Sequence, residues 1–211
     1  EEKYNQGFSV NELFPVSSVG IVTSRDSFVI DDIKEVLENR INDFFLLEKK
    51  EIIGKYNLRE NKTWKIDEVK LNAQRFEKEN VRVVNYRPFD KKFIYYDKDF
   101  IERSRYEVLQ NYLIGKNIGL AIGRQGQVIG TDTWDIVSIT NTILDFNYYR
   151  RGGELIFPLY LYPDLTDQPT LTGNPERVPN FNREIIKEFE EKTGLHFAGE
   201  ITDPAIDIPT N

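Results

Sequence analysis

The 211-residue chain contains no cysteine and no methionine, and His196 is its single histidine. Disulfide bonds and thiolate metal sites are therefore excluded, and one imidazole alone builds neither a histidine metal cluster nor a serine–histidine–aspartate triad. Long hydrophobic runs are also missing: no segment approaches the roughly 20 apolar residues of a membrane helix, and the first residues lack the basic-then-apolar order of a signal peptide. These absences remove several enzyme classes and predict a cytoplasmic protein without a membrane partner.

Basic residues are fewer than acidic ones, 28 against 35, which gives a net charge of −7. Because phosphate binding depends on lysine and arginine, this balance by itself argues against a nucleic-acid partner. The distribution is uneven, however. Residues 81–153 carry 11 basic and 8 acidic side chains, whereas the rest of the chain carries 17 and 27. A basic middle between acidic ends is compatible with one surface that faces DNA, and it also occurs in proteins that bind none.

Helical periodicity is the first positive signal. Apolar residues recur at helical spacing in three segments, residues 31–47, 66–78 and 182–193. In the last segment Asn182 is placed to cap the helix, Phe181 to pack onto Ile186, and Gly194 to end it.

Strand signals fall mainly between these helices, in residues 81–86, 93–96, 118–122, 134–139 and 155–161. Residues 87–92 join the first two strands, and Pro88 favours a hairpin-like reversal there. The predicted fold class is α/β (α+β), with a mixed or antiparallel central sheet and flanking helices.

The chain shows no internal repeat and no clear linker before Pro163, so we expect a single domain in three parts. Residues 1–80 form a helical N-terminal part, residues 81–162 a sheet-rich core, and residues 163–211 an irregular loop followed by a C-terminal helix. The prolines and glycine of residues 163–179 predict the irregular excursion.

Ten short segments resemble, in order and separation, the C-terminal specificity region of type ISP restriction-modification enzymes. They include Tyr-Arg-Pro-Phe-Asp at residues 86–90 and Arg-Ser-Arg-Tyr-Glu-Val at residues 103–108. The others are residues 13–14, 20–26, 94–96, 117–120, 124–125, 150–153, 157–163 and 179–182. The resemblance covers nearly the whole chain.

This resemblance implies a recognition domain for double-stranded DNA, preceded by an adenine-specific DNA methyltransferase in the same polypeptide. It implies no catalytic residue, metal or cofactor in this chain; S-adenosylmethionine, magnesium and ATP belong to the parent enzyme. Residues 174–177 lack the second proline and the aromatic residue of the methyltransferase motif. Members of the family continue with a helical stretch beyond the position of Asn211, so we expect the recognition unit to be incomplete here.

The candidate DNA contacts lie mostly in two segments. Arg124, Gln125 and Gln127 follow a predicted strand, and their side chains suit guanine and adenine edges; an ordinary polar turn is the alternative. Thr131 and Thr133 follow closely and offer phosphate or base contacts.

Arginine pairs mark two further segments. Arg150 and Arg151 precede a glycine pair and suit contacts to the DNA backbone, or they belong to a solvated loop. Arg103 and Arg105, near a predicted helix start, suit a phosphate, and the competing interpretation is ion pairing with Asp97, Asp99 or Glu102.

Two other functions remain open at this level. Asp164, Glu190 and Lys192 imitate the carboxylate–lysine pattern of metal-dependent nucleases, although Glu190 and Lys192 fall on the surface of the predicted last helix. Alternatively, the chain is an interaction module whose only partners are the methyltransferase and other domains of its own polypeptide.

Overall fold

A computed structural model describes residues 7–123, 136–149, 152–163 and 177–198. The helices are α1 (Val10–Leu13), α2 (Asp26–Val29), α3 (Lys34–Leu46), α4 (Lys49–Tyr56), α5 (Ile66–Ala73), α6 (Tyr106–Leu109) and α7 (Arg183–Thr193). The strands are β1 (Ser18–Val19), β2 (Ile30–Asp31), β3 (Val81–Arg87), β4 (Asp90–Tyr95), β5 (Gly119–Ile122), β6 (Val137–Thr140), β7 (Ile143–Leu144), β8 (Leu155–Pro158), β9 (Tyr160–Leu161) and β10 (Val178–Pro179).

Two four-stranded sheets form the framework. The first sheet has the order β1-β8-β5-β6 and is antiparallel throughout. The second has the order β2-β4-β3-β7, in which β7 runs parallel to β3 and the other pairs are antiparallel. A separate pair of short strands, β9 and β10, completes the described sheets. The predicted class, helices with mixed and antiparallel sheets, is confirmed.

The helix α3 covers the second sheet because its apolar residues recur on one face. Leu37, Ile41 and Phe44 are buried on that face. The ring of Phe44 lies 5.8 Å from that of Phe28 and 4.9 Å from that of Phe100, so aromatic packing forms the centre of the core.

A buried arginine closes this core on one side. The Arg25 guanidinium donates to the carbonyls of Thr23 and Phe100, pairs with Glu102 at 3.0 Å, and lies 4.2 Å from the centre of the Trp64 ring. Desolvation on burial lowers the pKa of Arg25 from its usual value, and the Glu102 carboxylate opposes this shift. The charge is therefore buried with both terminal nitrogens hydrogen-bonded.

The segment after β1 joins the two sheets. Val19 pairs with Leu155 in the first sheet, and the amide of Gly20 donates to the carbonyl of Glu154. The next residue, Ile21, forms a parallel bridge with Asp145, which directly follows β7 of the second sheet. One short stretch of backbone thus pairs with β8 of the first sheet and with the residue that follows β7 of the second.

The predicted helix at residues 182–193 is confirmed as α7. Asn182 accepts a hydrogen bond from the amide of Glu184 at 3.0 Å, and Gly194 ends the helix with φ 70°. Within the described ranges, every helix is too short or too polar to cross a bilayer.

The predicted helix at residues 66–78 is too long, because α5 ends at Ala73. Gln74 adopts the left-handed φ of 61°, which turns the chain away. Phe76, placed on the helix by the sequence pattern, instead stacks on Tyr95 with a centroid distance of 5.7 Å.

The predicted strand at residues 155–161 is wrong as a single element, since Leu159 separates β8 from β9. Two buried asparagines explain the break. Asn117 accepts from the amide of Tyr160 at 3.1 Å, and Asn180 donates to the carbonyl of Pro158 at 2.8 Å. Side chains take the place of a neighbouring strand at these groups, and the continuous apolar pattern does not reveal this.

Adding one methyl group at Gly20 should destabilise the fold. A Cβ atom at Gly20 would stand 2.6 Å from the carbonyl carbon and oxygen of Asp145, so we expect Gly20→Ala to lower the free energy of unfolding by about 1–3 kcal/mol. Gly54 is the matched control: no atom lies within 4 Å of its added Cβ, and alanine favours the helix by about 1 kcal/mol. Urea denaturation of both variants measures this, and an equal effect of the two would contradict the role of the junction.

Candidate nucleic-acid interface

Three connections leave the two sheets at the same end. Because β3 and β7 run parallel, the turn after Arg87 and the segment that begins at Asp145 both start at the same end of the strands in the second sheet. In the first sheet, Ile122 at the end of β5 lies beside Leu155 at the start of β8. We call this end the loop edge and define it by Arg87, Ile122, Asp145 and Leu155. The Gly20–Ile21 junction connects its two halves.

The Arg87–Asp145 ion pair fixes the second-sheet half of the loop edge. The Arg87 guanidinium lies 2.6 Å from the Asp145 carboxylate, which is only 5% exposed. Burial raises the pKa of Asp145 above its usual range, while hydrogen bonding from the Asn147 amide and the charge of Arg87 act in the opposite direction. The pair joins the end of β3 to the start of the segment that follows β7.

The Tyr86 side chain contacts both Arg87 and Asp26. The guanidinium carbon of Arg87 lies 3.9 Å from the centre of the Tyr86 ring, and the Tyr86 hydroxyl donates to Asp26 at 2.8 Å. Burial and the neighbouring Asp26 raise the pKa of Tyr86 to about 12, so the hydroxyl stays protonated and continues to donate at neutral pH.

The segment between β7 and β8 is anchored at both described ends. The amide of Tyr149 donates to the Glu154 carboxylate at 2.9 Å, and the amide of Gly153 donates to the carbonyl of Phe146 at 3.1 Å. Gly152 and Gly153 have φ 130° and 73°, a region that favours glycine. The glycine pair noted in the sequence therefore meets a backbone requirement.

Most predicted DNA contacts lie outside the described residues: Arg124, Gln125, Gln127, Thr131, Thr133, Arg150 and Arg151. The residues that flank them are on the loop edge. Gly123 donates its amide to the carbonyl of Ile136 at 2.8 Å, directly beyond the paired residues Ile122 and Val137. The roles of the seven side chains stay predictions.

The other two predicted contacts are described. Arg103 is exposed, and its backbone forms an antiparallel bridge with Val22, next to the junction. Arg105 is half-buried and caps α6 in a left-handed conformation, φ 55°. Glu102, one of the proposed ion-pair partners, binds Arg25 instead. Since α6 has four residues, its amides are a weaker phosphate site than those of a long helix.

The nuclease-like pattern is engaged in local contacts. Glu190 accepts from the amide of Phe197 at 2.7 Å and pairs with His196, while Lys192 pairs with Glu188 one turn away. The described part of the chain holds no cluster of three or more histidine or carboxylate side chains suited to a metal ion. Asp164 lies outside the described residues.

The sequence predicts only a turn at residues 87–92, and the structure adds one feature of the loop edge to that prediction. Phe89, in the two-residue turn of the β3–β4 hairpin, is fully exposed. The Pro-Phe pair between two strong strand patterns was the available signal, since a two-residue hairpin turn forces its side chains outward.

The family model that matches this chain is the type ISP C-terminal specificity domain, over residues 12–204. No curated protein matches the chain.

Three solved structures with DNA or a DNA mimic have a similar fold. A cryo-electron microscopy structure of the DrdV–DNA complex is 18% identical with a TM-score of 0.58, over 89% of this chain and 18% of that chain. The ATP-dependent type ISP restriction-modification enzyme LlaBIII bound to DNA is 21% identical with a TM-score of 0.59, over 87% and 12%. A nuclease-deletion mutant of the type ISP enzyme LlaGI, in complex with a DNA substrate mimic, is 20% identical with a TM-score of 0.54, over 83% and 17%. The chain therefore spans less than a fifth of each of these proteins.

Proposed function

The chain belongs to the family of type ISP C-terminal specificity domains, and we propose that it recognises the target sequence in double-stranded DNA as one part of a longer restriction-modification enzyme. The single observation that carries this proposal is the loop edge. It brings the described ends of the arginine-bearing segments to one end of a two-sheet framework.

The two sheets supply rigidity and the segments beyond them supply contacts. Arg124, Gln125 and Gln127 read base edges in this proposal, because guanidinium and amide groups form paired hydrogen bonds with guanine and adenine. Arg150 and Arg151 contact phosphates, and Thr131 and Thr133 add weaker contacts to phosphates or bases. Arg103, whose backbone pairs with Val22 next to the junction, and Arg105 two residues further on complete the proposed contacts.

The chemistry resides elsewhere in the parent polypeptide, which we propose to be an adenine-specific DNA methyltransferase and restriction enzyme of the cytoplasm. There S-adenosylmethionine would serve methyl transfer, and magnesium and ATP would serve cleavage and translocation. An enzyme that modifies a base removes it from the stack, so the surrounding base pairs must be read by a surface outside the catalytic pocket. The loop edge would provide that surface, while the acidic helices face solvent or the other domains.

Neutralising the two arginines should weaken binding to all DNA sequences alike. We expect Arg150→Ala and Arg151→Ala each to reduce the slope of log affinity against log salt by about one unit, because each lost phosphate contact releases about one fewer counterion. Fluorescence anisotropy with a random-sequence duplex over a salt series measures the slope.

Arg75→Ala is the matched control. Arg75 is 80% exposed, pairs with Glu77, and lies near the end of β4, at the opposite edge of the second sheet from the loop edge. An unchanged slope in the Arg150 and Arg151 variants would instead favour the interaction-module interpretation.

Exchange of residues 81–153 between two family members should transfer target specificity. The exchange moves β3 to β7 and the candidate base contacts together, so the methylated sequence should follow the donor of this segment. Sequencing of methylated adenines in cells that express each chimaera measures the result. Exchange of residues 34–73, which contain α3 to α5, is the control and should leave the site unchanged; the opposite pattern would disprove the assignment.

A further inference from the structure

Phe89 is the most exposed large apolar side chain among the described residues. It occupies the second position of the Pro88–Phe89 turn, between Arg87 and Asp90, which pair across the hairpin. A phenylalanine at such a tip gains nothing from the core of the domain. Its ring is available only to a partner.

The backbone at this position disfavours phenylalanine as well. Phe89 has φ 63°, in the left-handed region that bulky residues rarely occupy and that glycine or asparagine fills in most turns. Strain of this kind persists where the surrounding structure fixes it, and it is concentrated at functional sites. Neither burial nor backbone preference explains an aromatic ring here.

Ion pairs on both strands hold the hairpin that carries the Phe89 ring. Arg87 pairs with Asp145, and Lys92 pairs with Asp32 at 3.0 Å. Both cations flank the Tyr86 ring, Arg87 at 3.9 Å and Lys92 at 5.2 Å from its centre. The contacts on both strands hold the tip in place, so the ring meets a partner without first being ordered.

We propose that Phe89 inserts its ring among the bases of bound double-stranded DNA, an inference that rests on the proposed function. The tip belongs to the loop edge, where the proposed function places DNA. Arg87 and Lys92 are paired with carboxylates, whereas Lys91 beside the turn is exposed and forms no ion pair with a described residue, so its charge is available to a phosphate. Proteins that enter a groove commonly place an apolar wedge between base steps, with cations beside it for the phosphates.

Two substitutions test the contact with a short random-sequence duplex at low salt. Phe89→Ala should weaken binding by roughly tenfold, the usual effect of removing one aromatic–base contact. Phe89→Trp should bind, and its additional indole emission, obtained by subtracting the wild-type signal of the two native tryptophans, should be quenched on DNA addition because the ring stacks on bases.

Leu71→Ala is the matched control, since Leu71 is 76% exposed on α5, and it should leave the affinity unchanged. All variants should unfold at the wild-type urea midpoint, because none of the replaced side chains is buried.

The outcomes separate the two proposals. A wild-type chain that binds no duplex would overturn both the proposed function and this inference. Normal binding by Phe89→Ala, with no quenching in Phe89→Trp, would overturn only the insertion of the ring and leave DNA recognition standing. Emission from Phe89→Trp that is blue-shifted before DNA is added, and insensitive to it, would mean that the ring docks on protein and would equally overturn the inference.

Discussion

The close backbone approach at Gly20 is the constraint on which the rest of the structure depends. Its amide donates to the carbonyl of Glu154, next to β8 of one sheet, and Ile21 bridges Asp145, next to β7 of the other. The space at Gly20 is too small for a side chain. This contact aligns the ends of both sheets, and the described ends of the arginine-bearing segments follow from that alignment. A domain built this way separates a fixed framework from segments that are free to vary in sequence.

Electrostatics is compatible with the same arrangement despite the net charge of −7. Several acidic side chains stabilise helices. Glu12 and Glu51 complete capping boxes at the starts of α1 and α4. On α7, Glu188 and Glu191 pair with lysines one turn away. Such charges act locally and are screened beyond about 10 Å at moderate salt, so an acidic total does not prevent one basic end from binding DNA.

The sequence predicted elements whose signals are local. The caps at Asn182 and Gly194, the face of α3, and the hairpin around Pro88 all depend on neighbours within a few residues, and the structure confirms them. The sequence did not predict β1, β2 or β7. These strands have two residues each and form only through pairing with residues far along the chain. The break at Leu159 and the position of Phe76 depend on distant asparagines and on Tyr95, which no periodic pattern encodes. For the candidate site, the sequence predicted which residue types contact DNA. It did not predict that their segments start at one end of the two sheets, because that depends on the sheet topology.

Site-directed crosslinking tests most directly whether the loop edge faces DNA. Because the chain has no cysteine, one introduced thiol carries a photoreactive group at a single known position. Asn147 is exposed beside Asp145 on the loop edge, whereas Asn72 is exposed on α5 and bonds to Asp99, beyond the opposite end of the hairpin. If the loop edge faces DNA, Asn147→Cys should crosslink to a duplex and Asn72→Cys should not. Equal crosslinking from both positions, or crosslinking only from position 72, would contradict it.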